Sequence, residues 1–352
     1  MSTTTGLSSL VAATQLADEL LRPQAEGVDQ HLVPRSHLIA LAGAGLLGVT
    51  APTALGGGGQ PPAAGRQVAE QLAGACGATW FVWTQHLLPL ATLVRTEHPR
   101  AGELASGALL AGVAVAHVRR PGPAAVTATR SGAGWRFDGQ VGWMTSWGLC
   151  EVFLLGGRTD DGQVVLALLD ARDQPGLTSG PMMRLAAMQA TRTVSLALTG
   201  LQVADEQIVE VVSATDWLEA DRQKTANASP HTFGLQREVV ARLAVLAEGR
   251  GDRVAAALAG QLAQEGQELR ERVYALLDTV APDEQVPARL QGRAESLELV
   301  VRSASALVAA AGGAGLSLDA APQRLAREAL FHLVQAQTAA VREATLQVLA
   351  RS

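Results

Sequence analysis

The stretch Gly139–Leu155, "GQVGWMTSWGLCEVFLL", decides the fold class of this chain. It sets a Trp-Met-Thr-Ser-Trp run between two segments of strand-like composition, although aromatic residues make up only 3% of the sequence. Upstream, large apolar side chains alternate along "WRFDGQVGW", and downstream "VFLLGGR" and "QVVLALLD" are short apolar runs that end at Gly or Asp. This period of two predicts β-strands on both sides of the run.

The segments that flank this β-unit have helical periodicity. Apolar residues recur at three- and four-residue spacing in "LVAATQLADELL" and "AGRQVAEQLAGACGATWFVWTQHLL", and again in long amphipathic stretches after Ser213. The order predicts an α+β, mostly α chain in three parts. These are an N-terminal helical domain (residues 1–107), a central antiparallel β-barrel-like domain (108–212) and a C-terminal four-helix bundle (213–352).

Composition and charge narrow the classes of partner. The 352 residues carry 33 acidic and 28 basic side chains, a net charge of -5, which gives no basic footprint for nucleic acid or an anionic membrane surface. Two cysteines, Cys76 and Cys150, exclude a disulfide scaffold and argue against a metal centre. The N-terminus lacks a signal-peptide pattern, and the longest apolar run stops at Pro52. We therefore expect a cytoplasmic protein without a nucleic-acid or membrane partner.

Four strings, in order and with compatible spacing, resemble segments of the acyl-CoA dehydrogenase family of flavoproteins over essentially the whole chain. They are "GLLGVTAPTALGGGG", "WRFDGQVGWMTSWGLCEVFLLGGRTDDG", "MQATRTVSLALTGLQVADEQIV" and "AAGGAGLSLDAAPQRLAREAL". The second is similar to the family's "W-L-NG-K-WITN" strand pair. The resemblance implies the family's fold and a flavin cofactor, FAD with FMN as an alternative. It also implies a homodimer or homotetramer, because the family completes its flavin site from two subunits.

The same resemblance assigns roles around the Trp-Met-Thr-Ser-Trp run. It implies that Trp143 packs against the isoalloxazine ring and that Thr145, with Ser146 beside it, supplies hydrogen bonds toward flavin N5. A flat conjugated ring needs a planar apolar wall and a few fixed polar groups, which agrees with these residue types. The alternative is that Trp143 and Trp147 are ordinary core aromatics of a β-domain.

Two further sequence elements concern the binding of the FAD dinucleotide. Gly312, Gly313 and Gly315 occupy the family's "GG-G" position, where backbone passes close to the cofactor of a neighbouring subunit; the alternative is a helix-ending turn. The family's hydroxyl-bearing "TEP-AGSD" element corresponds here to "AHVRRPGPAAV", which offers Arg119 and Arg120 instead. These arginines could bind phosphate directly or lie in a solvated loop. Arg250 and Arg253 are the nearest matches to the family's "R--FG" motif.

The residue that should act as base is missing. Dehydrogenation of an acyl thioester needs a carboxylate at the α-carbon, and alignment on the family's "YEGT" motif places Ala336 where that Glu belongs. Some family members carry the base on the first helix after the β-domain, which makes Asp221 a candidate there. Acidic residues near a helix start are otherwise explained as complements of the helix dipole.

Two histidines are the other candidates for proton transfer. His332 precedes Ala336 by four residues, on the same helix face, and resembles a histidine of the flavin-dependent monooxygenase branch of the fold. His86, in "FVWTQHLLPL", lies on a helix that lines the substrate side in related folds. Either side chain could instead be a buried packing residue. Three functions stay open: flavin-dependent α,β-dehydrogenation of an acyl thioester, flavin-dependent monooxygenation, and a non-catalytic scaffold.

Overall fold

The structure is a computed structural model that describes residues 8–351. Its first part is helical, and the Ser8 hydroxyl caps the first helix by accepting a hydrogen bond from the Val11 amide. The helices are α1 (Ser9–Leu16), α2 (Arg22–Gln30), α3 (Arg35–Gly43), α4 (Pro62–Ala75), α5 (Gly77–Arg95) and α6 (Ala101–Ala105), with a π-helical turn, Ala17–Leu21, joining α1 to α2. The glycine run before α4 forms a loop, as its composition predicts, and Pro62 begins the helix.

The middle of the chain forms one eight-stranded sheet with the strand order β6-β7-β3-β2-β4-β5-β8 and β1 beside β4. The strands are β1 (Ala111–Ala114), β2 (Val126–Ser131), β3 (Gly134–Met144), β4 (Val152–Arg158), β5 (Gln163–Asp170), β6 (Leu177–Ser179), β7 (Val194–Ala204) and β8 (Ile208–Ser213). Most pairs are antiparallel, as predicted. β4 pairs parallel with β1 and with β2, and the second pairing joins the antiparallel pairs β2-β3 and β4-β5.

The longest pairing in the sheet joins β3 to β7. It runs from Gly134 opposite Ala204 to Met144 opposite Val194. Along β7 buried and exposed residues alternate, which matches the period of two in its sequence. The pairing therefore brings the residues just after β3 next to the residues just before β7.

The C-terminal part is helical again and forms the predicted bundle. The helices are α7 (Ala214–Thr225), α8 (Pro230–Arg250), α9 (Arg253–Thr279), α10 (Val286–Ala311), α11 (Ala321–His332) and α12 (Ala339–Leu349). Gly251, with φ of 66°, ends α8, and the Asp252 carboxylate caps α9. The predicted fold class is confirmed. The predicted domain limits fall in the connection between α6 and β1 and one residue before the end of β8, and they stay predictions.

Among residues 8–351, one helical stretch, Val286–Leu316, is long and apolar enough to span a bilayer by length and composition alone. It contains α10, whose Arg289 and Arg293 side chains are buried inside the bundle. The helix packs against α8, α9, α11 and α12. These contacts are those of a bundle helix.

Two glycines allow the first helical part to pack closely on the bundle. At Gly234 on α8 an added Cβ atom would lie 2.1 Å from the Glu70 carbonyl oxygen on α4, and at Gly74 it would lie 2.7 Å from the Gly234 carbonyl oxygen. Beside this crossing the buried Glu70 carboxylate accepts hydrogen bonds from Tyr274 Oη (2.6 Å) and Arg270 Nε (2.8 Å) on α9. The crossing holds the two helical parts together.

We expect Gly234→Ala to lower the free energy of unfolding by about 2 to 3 kcal/mol, because the new methyl group must push α4 and α8 apart. Urea unfolding followed by circular dichroism measures this. Gly260→Ala is the matched control: it lies exposed within α9 with no atom within 4 Å of the added Cβ, and it should raise stability by about 1 kcal/mol. Equal effects of the two substitutions would contradict the close crossing.

Candidate functional site

The Trp-Met-Thr-Ser-Trp run gives its two tryptophans different environments. Trp143, at the end of β3, is 52% exposed, whereas Trp147 is buried and contacts Phe153 edge to face at 5.9 Å between ring centroids. Thr145 and Ser146, between them, are buried. The core-aromatic interpretation is therefore correct for Trp147 and wrong for Trp143, whose ring leaves a large apolar face open.

A row of three buried hydroxyl groups begins at Thr145, two residues after Trp143, where β3 ends and β7 begins. Thr145 Oγ1 is 3.1 Å from Thr193 Oγ1, which is 3.4 Å from Thr191 Oγ1, and Thr191 donates to the Met188 carbonyl oxygen at 2.8 Å. We call Thr145, Thr193 and Thr191 the hydroxyl row. Sequence reasoning singled out Thr145 alone; the "TRT" spacing before β7 was the available signal for the other two.

Backbone strain is concentrated at the same place. Ser146, Met188 and Arg192 have φ of 73°, 58° and 54°, the left-handed region that costs non-glycine residues of order 1 kcal/mol each. The Ser146 amide donates to the Thr191 carbonyl oxygen at 2.9 Å, and the Trp147 amide to that of Arg192 at 3.1 Å. Ser146 Oγ is fully buried and has no partner among residues 8–351. Strain and an unpartnered hydroxyl beside an open aromatic face are features of a binding site.

These residues fit a flavin. Trp143 offers the planar apolar wall, and the hydroxyl row fixes a polar group within two residues of it. The Ser146 hydroxyl remains available for a further hydrogen bond. A position beside the flavin for Trp143, Thr145 and Ser146 is thus compatible with the geometry and stays a prediction.

Arg119, predicted to bind phosphate, and Asp221, a candidate base, are paired with each other in the structure. This pairing opposes both predicted roles. Arg119 donates to both carboxylate oxygens of Asp221, from Nε at 2.6 Å and Nη2 at 2.8 Å. The carboxylate of Asp221 neutralises the guanidinium predicted to bind phosphate, and Arg119 occupies the carboxylate predicted to act as base. Both predictions need correction for this reason. Arg120, the neighbouring cation, is exposed.

The glycine cluster lies at the edge of a groove of about 690 Å³ between α8, α10 and the start of α11. Gly312, with φ of 67°, ends α10, so the helix-ending interpretation is correct, and Gly315 lines the groove. Arg250 also lines it and donates to the carbonyl oxygens of Ala310 and Ala311 at the end of α10. The groove thus has an apolar floor, the glycine backbone of Gly315 and the guanidinium of Arg250 at its surface.

A buried cation, Arg293, lies against the loop after α11, where the resemblance places the family's base. Ala336 is in the left-handed region, with φ of 48°. Its carbonyl oxygen and that of Gln335 accept hydrogen bonds from Arg293 Nη2 at 3.3 and 2.9 Å, and Nη1 bonds the Thr225 carbonyl oxygen. No carboxylate of residues 8–351 pairs with Arg293. Burial, and next the charge of Arg119, lower the pKa of Arg293 to about 10.

His332 lies in a buried ring cluster next to this loop. Its ring centroid is 4.3 Å from that of His231 and 5.3 Å from that of Trp80, and its Nδ1 has no hydrogen-bond partner among residues 8–351. Burial and secondly the charge of Arg293 lower the pKa of His332 to about 3. Burial likewise takes the pKa of His231 well below its usual value, so both rings are neutral at pH 7. Sequence reasoning missed His231 and Arg293; a Pro-His pair at the start of α8 was the signal for the first.

The contacts of His86 favour a structural role over the predicted proton transfer. Nε2 hydrogen-bonds the Leu104 carbonyl oxygen at 3.1 Å, and Nδ1 accepts from the Ala111 amide at 3.0 Å. Burial lowers the pKa of His86 to about 4. With both nitrogens occupied by backbone, the ring ties α5 to α6 and β1.

The fold and site geometry can now be compared with known proteins. The family model described as acyl-CoA dehydrogenase, N-terminal domain, matches residues 10–96. Comparison with curated protein sequences gives no match. The chain aligns over 100% of its length, and 96% of the other chain, with a glutaryl-CoA dehydrogenase from Mycobacterium smegmatis in complex with FADH2 (16% identity, TM-score 0.83).

Two further solved structures share the architecture. A butyryl-CoA dehydrogenase from Megasphaera elsdenii matches over 99% of both chains with 14% identity and a TM-score of 0.80. A dibenzothiophene monooxygenase from Paenibacillus sp. A11-2 matches over 98% of this chain and 97% of its own, with 18% identity and a TM-score of 0.79. The chain has the acyl-CoA dehydrogenase fold throughout, and the predicted resemblance to that family is confirmed.

The buried neutral histidines predict acid destabilisation. His86 and His332 have folded-state pKa values of about 4 and about 3, below their usual value of 6.5. The unfolded chain therefore binds more protons below pH 6.5, so stability that is fully present at pH 7 is lost as the pH falls through this range. Each pKa unit is worth about 1.4 kcal/mol, so each histidine should cost about 2 kcal/mol between pH 6.5 and pH 5.

Urea unfolding at pH 7 and pH 5 tests this with His86→Gln, whose amide can still bond both backbone groups. The variant should lose about 2 kcal/mol less than the wild type over that interval. His31→Gln, at an exposed histidine, is the control and should keep the wild-type pH dependence. Identical pH dependence of His86→Gln and the wild type would show that burial does not hold this ring neutral.

Proposed function

We propose that this protein is a flavin-dependent oxidoreductase that binds FAD, with the isoalloxazine ring against Trp143. The observation that carries the proposal is the open face of Trp143, 52% exposed, directly beside the buried hydroxyl row. A large aromatic ring left exposed next to strained backbone and buried hydroxyls is expensive unless a ligand covers it. A bound flavin supplies hydride acceptance and, when reduced, reactivity with oxygen.

The groove at Gly315 supports FAD over FMN. Three arginines line it, of which Arg22 and Arg242 pair with Glu238, so Arg250 and the apolar floor are what suit the diphosphate and adenosine that FMN lacks. The resemblance assigns this backbone to the cofactor of a neighbouring subunit. The proposal therefore includes a homodimer or homotetramer in which each groove receives the adenylate half of the cofactor of the other subunit.

The loop after α11 favours oxygen chemistry over dehydrogenation of an acyl thioester. Ala336 offers no carboxylate, Asp221 is paired with Arg119, and Glu328 is buried against Arg324 at 2.8 Å. A histidine with a pKa of about 3, as in His332, is a weak base at neutral pH. Neutral imidazoles can instead hydrogen-bond a polar group of the substrate. A dibenzothiophene monooxygenase shares this fold, so the fold is compatible with this choice.

Within this proposal the residues of the chain have separate tasks. Trp143 binds and orients the ring of the cofactor, and the hydroxyl row fixes the polar contact beside it. We assign to His332 and His231, buried against Trp80, the role of neutral hydrogen-bonding groups toward the substrate. Arg293 holds the main chain of the loop in place through its carbonyl bonds. The substrate is expected to be a small molecule.

Removing the aromatic wall should weaken cofactor binding. We expect Trp143→Ala to raise the Kd for FAD at least tenfold, because the ring loses its stacking surface. Quenching of flavin fluorescence on titration measures this. Trp135→Ala, on the same strand but stacked against Arg130 at 5.1 Å, is the control and should bind FAD like the wild type. Equal affinity of all three proteins would place the flavin elsewhere.

Anaerobic mixing of the FAD-loaded protein with butyryl-, glutaryl- and palmitoyl-CoA tests the reaction class. We expect no bleaching of the flavin absorption band, because Ala336 offers no carboxylate and those of Asp221 and Glu328 are paired with Arg119 and Arg324. Photoreduced protein should be reoxidised by dissolved oxygen. Bleaching by any of these thioesters would favour dehydrogenation, and failure of the purified protein to bind any flavin would favour the scaffold interpretation.

A further inference from the structure

The hydroxyl row has a fixed direction of hydrogen bonding. Its inner end is Thr191, whose hydroxyl lies 2.8 Å from the Met188 carbonyl oxygen. A carbonyl oxygen can only accept, so the single hydroxyl hydrogen of Thr191 is used in this bond. Towards Thr193, therefore, Thr191 can only accept.

Only one assignment of donors and acceptors places a hydrogen atom between each pair of hydroxyl oxygens in the row. Thr193 donates to Thr191 at 3.4 Å, and Thr145 then donates to Thr193 at 3.1 Å. The reverse order would leave two lone-pair oxygens facing each other between Thr193 and Thr191. The hydrogen of Thr145 consequently points into the protein, and its outer side carries lone pairs only.

The surroundings keep this direction from reversing. Thr191, Thr193 and Thr145 are 0%, 4% and 6% exposed, so water has little access to reorient the hydroxyls. The amides of Ser146 and Trp147 tie the end of β3 to the carbonyl oxygens of Thr191 and Arg192. The row is thus held at both ends by backbone.

We propose that Thr191 and Thr193 are positioning residues that make Thr145 a hydrogen-bond acceptor toward the cofactor and thereby favour its reduced state. The inference rests on the proposed flavin site. Oxidised flavin has a lone pair at N5, whereas reduced flavin has an N–H there. An accepting Thr145 hydroxyl matches the reduced form, and a donating hydroxyl would match the oxidised form.

Substitutions within the row should therefore shift the redox equilibrium in a known direction. In Thr191→Val the hydrogen of Thr193 is free to turn to Thr145, and in Thr193→Val the hydrogen of Thr145 loses its acceptor. In both variants the Thr145 hydroxyl can donate its hydrogen to the cofactor. Each change should therefore favour the oxidised cofactor and lower its midpoint potential.

The test measures the midpoint potential of FAD bound to the whole protein by spectrophotometric equilibration with a reference dye. Thr191→Val and Thr193→Val should each shift the equilibrium about tenfold toward the oxidised form, which is about 30 mV for a two-electron couple. Thr199→Val, at an exposed threonine of β7, is the control and should keep the wild-type potential. Thr191→Ser keeps the hydroxyl group and should also keep the wild-type midpoint potential. This variant separates the effect of hydrogen bonding from that of packing.

The outcomes distinguish this inference from the proposed function. FAD bound with wild-type potential in both valine variants would overturn the role of the row and leave the flavin site intact. A potential that falls equally in Thr191→Ser would assign the effect to packing and overturn it as well. Absence of flavin binding by the wild type would overturn the proposed function and this inference together. Should a valine variant not fold, Thr193→Ala removes the middle hydroxyl without added bulk and has the same expected result.

Discussion

The antiparallel pairing of β3 with β7 is the interaction on which the candidate site depends. It places Met144 opposite Val194, so that Thr145 and Ser146 continue past one strand end beside Thr191 and Arg192 before the other. The strained residues, the hydroxyl row and the exposed face of Trp143 all follow from this register. A slip of one residue would turn Trp143 inward and separate the three hydroxyls.

The remaining parts of the molecule are positioned around that strand pair by a few buried polar and small-residue contacts. His86 joins α5 to β1, and the Gly74–Gly234 crossing joins α4 to α8. Arg293 connects α10 to the end of α7 and to the loop after α11. Each contact links segments far apart in sequence, so the walls of the site come from all three parts of the chain.

Periodicity alone was enough to predict the order of helices and strands, because the change from a period near 3.6 to a period of 2 is a local property. The resemblance singled out Trp143 as the wall of a flavin site, and only the structure shows that Trp147 differs from it in exposure. The pairing of Arg119 with Asp221 and the stacking of His231 on His332 were beyond sequence reasoning. Their partners are separated by about a hundred residues, and no local pattern records such contacts.

The buried guanidinium of Arg293 also constrains how this site can change. Its Nη2 lies 3.3 Å from the carbonyl oxygen of Ala336, so its positive charge lies beside this loop. A carboxylate introduced at position 336 would meet a desolvated positive charge and form an ion pair with it, which would depress its basicity. A basic carboxylate at this loop would therefore require a change at position 293 as well as at position 336.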